Sequence, residues 1–147
     1  MQLSQHFTLD ELTRSDYAIR HGIDNTPSAE VLANIGMLAA GLEGVRAVLA
    51  VPVHVSSGYR CAKLNSAIGG SKSSAHMQGL AADFTCPQFG TPADVARVLV
   101  ESKLRIGFDQ LILEGRWVHV SFSDEPRYEV LTAHFGNGPT TYTKGIA

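Results

Sequence analysis

Three side chains in two separated stretches carry the chemistry that this sequence can support. In Ser74-Ala75-His76-Met77-Gln78-Gly79-Leu80-Ala81-Ala82-Asp83, a histidine follows a polar loop and an aspartate sits inside an otherwise apolar run. A charge without a partner would be expensive to bury there, so Asp83 needs one. In Trp117-Val118-His119-Val120-Ser121, His119 stands in the middle of an apolar run whose alternation presents its imidazole to one face of a strand. Two imidazoles and a carboxylate suit catalytic zinc, which takes three protein ligands and leaves a fourth position for water. Other divalent ions accept the same donors. Taken singly, neither histidine is diagnostic, because a hydrogen-bonded core imidazole is common.

Those side chains need a scaffold, and the chain supplies short, mixed elements. Thr8-Leu9-Asp10-Glu11 fits a capping box and predicts a brief helix. Thr26-Pro27 predicts the start of a second helix, since proline at the first helical position gives up only an amide that would be unpaired anyway. Leu32, Ile35, Leu38, Ala39 and Leu42 recur at helical spacing and give it an apolar face. The apolar region from Val31 to Val53 is interrupted by Asn34, Glu43 and Arg46, so it reads as a core helix and not as a lipid-spanning one.

Val51 to Ser57 predicts a strand ending at Gly58, and a short helix follows over Cys61 to Ala67. Gly69-Gly70 with Ser71, Ser73 and Ser74 predicts a loop, and Leu80 to Thr85 a second strand. Thr91-Pro92 repeats the helix-start signal for a segment to Ser102, with Val95, Val98 and Leu99 facing inward. Phe108 to Glu114 and Trp117 to Phe122 predict two strands joined at Gly115-Arg116 by a tight hairpin. Tyr128 to Phe135 predicts an edge strand before a Gly/Pro/Thr-rich tail. The order indicates an α+β fold, a small antiparallel sheet with flanking helices. Without a repeat or linker, residues 1–147 read as a single catalytic domain.

The composition narrows the function classes. With 147 residues, 44% hydrophobic and 18% charged, the chain is long enough to bury a core without staples and too apolar for a disordered segment. A net charge of −2 removes the basic field that nucleic-acid binding requires, so DNA and RNA are excluded as expected partners. The start, Met-Gln-Leu-Ser-Gln-His-Phe, lacks the basic and apolar segments of a secretory signal. Cys61 and Cys86 are too few and too far apart for a paired thiolate zinc site, and both read as buried thiols.

Further residues extend the pattern. Val55-Ser56-Ser57-Gly58-Tyr59-Arg60, then Leu64-Asn65, Gly69-Gly70, the SxHxxGxAxD run from Ser74 to Asp83, and Trp117-Val118-His119-Val120-Ser121 occur in this order. Over most of Pro52 to Phe122 the chain thereby resembles the M15 zinc peptidases, which include D-alanyl-D-alanine carboxypeptidases and phage L-alanyl-D-glutamate endopeptidases. The resemblance implies a hedgehog/D-Ala-D-Ala peptidase-like fold, with zinc held by His76, Asp83 and His119. It also implies that Arg60 orients substrate or stabilises the attacked carbonyl, and that Ser74 contacts substrate or a neighbouring carboxylate.

A general base is still required. In many members of that family it lies three residues before the last histidine, a position held here by Arg116. Hairpin parity points elsewhere: if Gly115-Arg116 is the turn, Glu114 pairs with Trp117 and Ile112 with His119, and Glu114 shares the face of His119. Glu114 is therefore the expected base. By the same count Asp109 falls on the opposite face, Gln110 has the right parity but cannot take a proton, and Trp117 reads as an aromatic packed into the core. His6, His21, His54 and His134 belong to no motif.

The expected function is zinc-dependent hydrolysis of an amide bond in peptidoglycan stem peptides by a phage or prophage endolysin of the L-alanyl-D-glutamate endopeptidase type. Such a protein would be made in the cytoplasm, act on the wall after release, work as a monomer and need no membrane insertion. A D-alanyl-D-alanine carboxypeptidase or dipeptidase is the enzymatic alternative. A noncatalytic zinc-containing module that binds peptide is the other, kept open by Arg116 at the usual base position.

Overall fold

The computed structural model describes residues 1–147. A capping box opens α1 (Leu9–Thr13), with Thr8 Oγ1 accepting from Glu11 N and the Glu11 side chain accepting from Thr8 N. A further short helix, α2 (Asp16–Arg20), is capped by Ser15 and had no separate signal in the sequence reading. The long helix α3 (Ala29–Leu49) starts later than Thr26-Pro27 suggests, because Ser28 is the residue whose hydroxyl accepts from Val31 N, at 3.2 Å. By length and composition α3 could cross a membrane, but it buries Ile35, Leu38, Ala39, Leu42, Val45 and Leu49 within the protein.

The first strand is shorter than expected. β1 (His54–Ser57) begins after Pro52, which has no amide to give to a ladder. Then come α4 (Ala62–Ala67), a 3₁₀ turn (Ala75–Gln78), β2 (Ala81–Thr85), α5 (Pro92–Glu101) and α6 (Lys103–Ile106). The chain closes with β3 (Gln110–Leu113), β4 (Val118–Ser121), β5 (Glu129–His134) and β6 (Thr141–Lys144). Cys86 is buried as expected, but Cys61 is only partly so, because its Sγ caps α4 by accepting from Leu64 N at 3.4 Å.

The strands form one six-stranded sheet in the order β1-β2-β4-β3-β5-β6. All neighbours are antiparallel except β3 and β5, which run parallel. The expected edge strand is thus β5, an interior one, and the polar tail supplies the true edge as β6. Edge strands tolerate polar residues because one side of their backbone faces solvent.

Alternation divides the sheet into two chemically distinct faces. Ala82 and Phe84 on β2, Val118 and Val120 on β4, and Leu111 and Leu113 on β3 join the hydrophobic core with residues of α3 and α5. The intervening residues, Asp83, His119 and Ile112, lie side by side in register on the other face. Burying the first set fixes the register, since a slip of one residue would drive Asp83 and His119 into the core.

Candidate metal centre and active site

Asp83 and His119 meet because they are direct partners across β2 and β4. The third group arrives from the loop before β2. His76 sits in the 3₁₀ turn, which ends at Gly79 with φ +75, a conformation that favours glycine. A Cβ at Gly79 would also press on the side chains of Ile35 and Val31, at 2.8 and 2.9 Å, so the absence of a side chain seats the turn on α3. Asn34 Nδ2 donates to Gln78 O at 2.9 Å and ties the two together further.

The three groups are 2%, 8% and 8% exposed for His76, Asp83 and His119. Asp83 Oδ1 lies 3.0 Å from His119 Nδ1 and 3.3 Å from His76 Nε2, and the three donor atoms fall within 4.8 Å of one another. Donors at zinc-ligand bond lengths around a tetrahedral ion stand roughly 3.3 Å apart, so these spacings and this donor chemistry fit zinc. Burial acts to raise the Asp83 pKa, but the His119 and His76 imidazoles beside its Oδ1 outweigh it and hold the carboxyl well below its ordinary range.

One tautomer of His76 is selected. Its Nδ1 donates to Gly58 O at 2.7 Å, which leaves Nε2 with its lone pair directed at the centre. A bulge in β1 between Val55 and Ser57 brings Gly58 to this place. Any Cβ at Gly58 would collide with Leu12 O, the same carbonyl that accepts from Tyr59 N at 2.8 Å. Asn25 completes the frame: its Nδ2 donates to Thr13 O and Tyr59 O, and its Oδ1 accepts from Cys61 N.

The centre opens into a cleft of about 660 Å³ lined by Arg60, Ser74, Glu114 and Trp117 as well as the triad. The hairpin pairs as expected, with Ile112 opposite His119 and Glu114 N donating to Trp117 O at 3.0 Å. Glu114 is half-buried, and Oε2 accepts from Trp117 Nε1 at 3.0 Å. Burial and the neighbouring Asp83 carboxylate raise the Glu114 pKa, while His119, the Trp117 hydrogen bond and His76 pull it back in part. The result is a carboxylate with more affinity for a proton than an ordinary glutamate, as a general base needs. Trp117 is therefore not packed into the core: it lines the cleft, because its indole N–H finds a partner there.

Arg60 is partly buried, and its Nε is enclosed without a hydrogen-bond partner. Its Nη2 reaches Ser74 Oγ at 3.5 Å, and its backbone N donates to His76 O at 3.1 Å. Burial lowers its pKa against the attraction of Asp83 and Glu114, yet a guanidinium stays charged at working pH. Ser74 caps the 3₁₀ turn, accepting from His76 N at 3.2 Å.

The sequence reading placed Asp109 on the opposite face, but Asp109 lines this cleft. It precedes the regular part of β3, where strict alternation does not apply. Its carboxylate is held below the usual range first by the Arg127 side-chain hydrogen bonds, which leaves it unsuited to act as base. Arg127 and Tyr142 also line the cleft and lie in a stretch without a recognisable motif. The other histidines stay apart: His54 is exposed, His6 contacts Glu43, His21 stacks on Tyr17, and His134 contacts Thr143.

Among curated proteins, none matches the chain. The family model described as Peptidase M15 matches residues 5–121, a span that holds the whole triad, Arg60, Ser74 and Glu114. A polypeptide that follows this model over so much of its length belongs to the Peptidase M15 family, and with a buried His-Asp-His group able to hold a metal ion it is a metallopeptidase.

Proposed function

We propose that His76, Asp83 and His119 bind zinc and that the protein hydrolyses an amide bond within peptidoglycan stem peptides, as an endolysin of the L-alanyl-D-glutamate endopeptidase type. The observation that carries this reading is the convergence of the triad with Glu114 and Arg60 in one cleft. Zinc, when bound, acts as a Lewis acid on the scissile carbonyl and brings the pKa of a water toward neutrality. Glu114 takes the proton of the attacking water and passes it to the leaving amine, held in place by Trp117 Nε1. Arg60, which lines the cleft, offers its guanidinium charge to the carbonyl oxygen as negative charge develops there. The Gly58 carbonyl keeps His76 in one tautomer throughout.

An endopeptidase needs room on both sides of the bond. The cleft is lined by residues from Arg60, just past β1, to Tyr142 on β6, so it crosses the sheet in the direction of the strand order. That extent favours a peptide passing through over a single terminal residue, as a carboxypeptidase would take. Digestion of purified murein with the zinc-loaded protein, followed by mass spectrometry of the new amino termini, tests the proposal. New D-glutamyl amino termini are expected; release of terminal D-alanine alone would replace it with the carboxypeptidase, and no cleavage with zinc bound would leave a binding module.

A further inference from the structure

The cleft lining on the β5 side, across the sheet from Arg60, contains an arginine whose pairing leaves part of it free. Arg127 lies just before β5, outside the residues 5–121 that match the family. Asp109 fixes it: Oδ1 accepts from Arg127 N and from Nε, both at 3.0 Å, and Oδ2 accepts from Nη2 at 2.9 Å. Nη1 makes no hydrogen bond and stands 3.8 Å from Glu129 Oε1, with the Arg127 side chain 58% exposed. Glu129 Oε1 accepts from Gln110 Nε2 at 2.6 Å, while Oε2 has no partner. Between the two charged residues Tyr128 adopts φ +53, a left-handed conformation unfavourable for a residue with a side chain. The Asp109 contacts hold this turn in place.

The charges here select the kind of group that can be received. Asp109 and Arg127 line the cleft, and Glu129, partly exposed and bonded to the lining Gln110, stands beside them. The three sum to one negative charge, so a lone carboxylate meets repulsion from Glu129 and a lone ammonium meets repulsion from Arg127. A group that carries both signs on adjacent atoms satisfies both residues. In an α-amino-acid zwitterion the ammonium nitrogen and a carboxylate oxygen are roughly 2.7 Å apart by ordinary bond lengths. Charge-assisted hydrogen bonds of about 2.8 Å can close a ring from that pair onto Arg127 Nη1 and the Glu129 carboxylate.

We propose that Arg127 and Glu129 form a subsite for an α-amino-acid zwitterion on the substrate. This rests on the reading that the cleft receives a stem peptide. An internal residue of a peptide has neither free group on its main chain, whereas a diamino-diacid residue keeps both at the end of its side chain. Glu129 pairs with Gln110, two residues along β3 from Ile112, the partner of His119. Two strand spacings across and two residues along place Glu129 roughly 12 Å from His119, within reach of about three peptide residues or fewer with a long side chain.

The test uses tetrapeptides L-Ala-γ-D-Glu-X-D-Ala with X as 2,6-diaminopimelate, lysine (ammonium only) or 2-aminopimelate (carboxylate only). Dissociation constants come from calorimetry on the zinc-loaded Glu114→Gln chain, and kcat/KM from the parent enzyme. The diaminopimelate peptide is expected to bind about tenfold more tightly than either of the others. Glu129→Gln is expected to abolish the preference over the 2-aminopimelate peptide, and Arg127→Gln combined with Asp109→Asn, which leaves no carboxylate stranded, the preference over the lysine peptide. Equal binding of the three peptides, or survival of the preference that the matching variant should remove, overturns the subsite. A preference without hydrolysis by the parent enzyme overturns the peptidase reading alone; hydrolysis of all three at equal kcat/KM overturns the subsite alone.

Discussion

Replacing Trp117 with phenylalanine removes the hydrogen bond on Glu114 while keeping an aromatic ring, though a smaller one, in the cleft lining. The indole Nε1 donates to Glu114 Oε2 at 3.0 Å, and this contact lowers the Glu114 pKa against burial and the Asp83 charge. A hydrogen bond to a charged group is worth about 1.5–3 kcal/mol. Because Glu114 is only half-buried, water replaces part of that, and about 1 kcal/mol remains. The bond favours the ionised form, so its loss raises the Glu114 pKa. A base works only when deprotonated, so the acid limb of the kcat/KM profile should move to higher pH, by somewhat under one unit. At pH values above both limbs the rates should converge, apart from a loss due to the freer carboxylate. The assay is a pH profile on a stem peptide, with zinc content and thermal midpoint measured in parallel. A limb that stays in place or moves toward lower pH, with metal and fold intact, refutes the assignment of Glu114 as the base held by Trp117.

Other consequences are as direct. Glu114→Gln should lose 10²- to 10⁴-fold in kcat while binding zinc as the parent does, checked by metal analysis of the active and inactive proteins. Gly58→Ala forces the 58–59 backbone off Leu12 O and disturbs the carbonyl that orients His76. Its zinc affinity should fall about 10- to 100-fold in a chelator competition, together with a lower melting temperature. Stripping the metal should abolish hydrolysis reversibly and lower the thermal midpoint, since a ligand at a hundredfold excess over its dissociation constant stabilises the native state by about 2.7 kcal/mol. An unchanged midpoint on chelation would mean that the His76, Asp83 and His119 cluster holds no ion.

The sequence by itself determined the local features of this protein. The Thr8 capping box, the Thr91-Pro92 helix start, the apolar stripe of α3 and the two-residue hairpin at Gly115-Arg116 depend on neighbours a few positions away, and each was readable from residue type. Strand alternation also separated Asp83 and His119 from the core residues beside them, because burying a charge among leucines and valines costs too much. Turn chemistry was legible only in part, since Thr26-Pro27 predicted the start of α3 and the packed backbone places it at Ser28 instead.

Tertiary structure decided the rest, where distant segments meet. The parallel pairing of β5 with β3 and the use of a polar tail as β6 depend on contacts between residues far apart in the chain, which no local pattern encodes. The same is true of the Gly58 carbonyl on His76, of the Asn25 staple and of Asp109 turning into the cleft to hold Arg127. Residue type states which groups require a partner. Which partner each receives follows from how the sheet and its loops pack, because that free energy belongs to the assembled core and not to any single stretch of sequence.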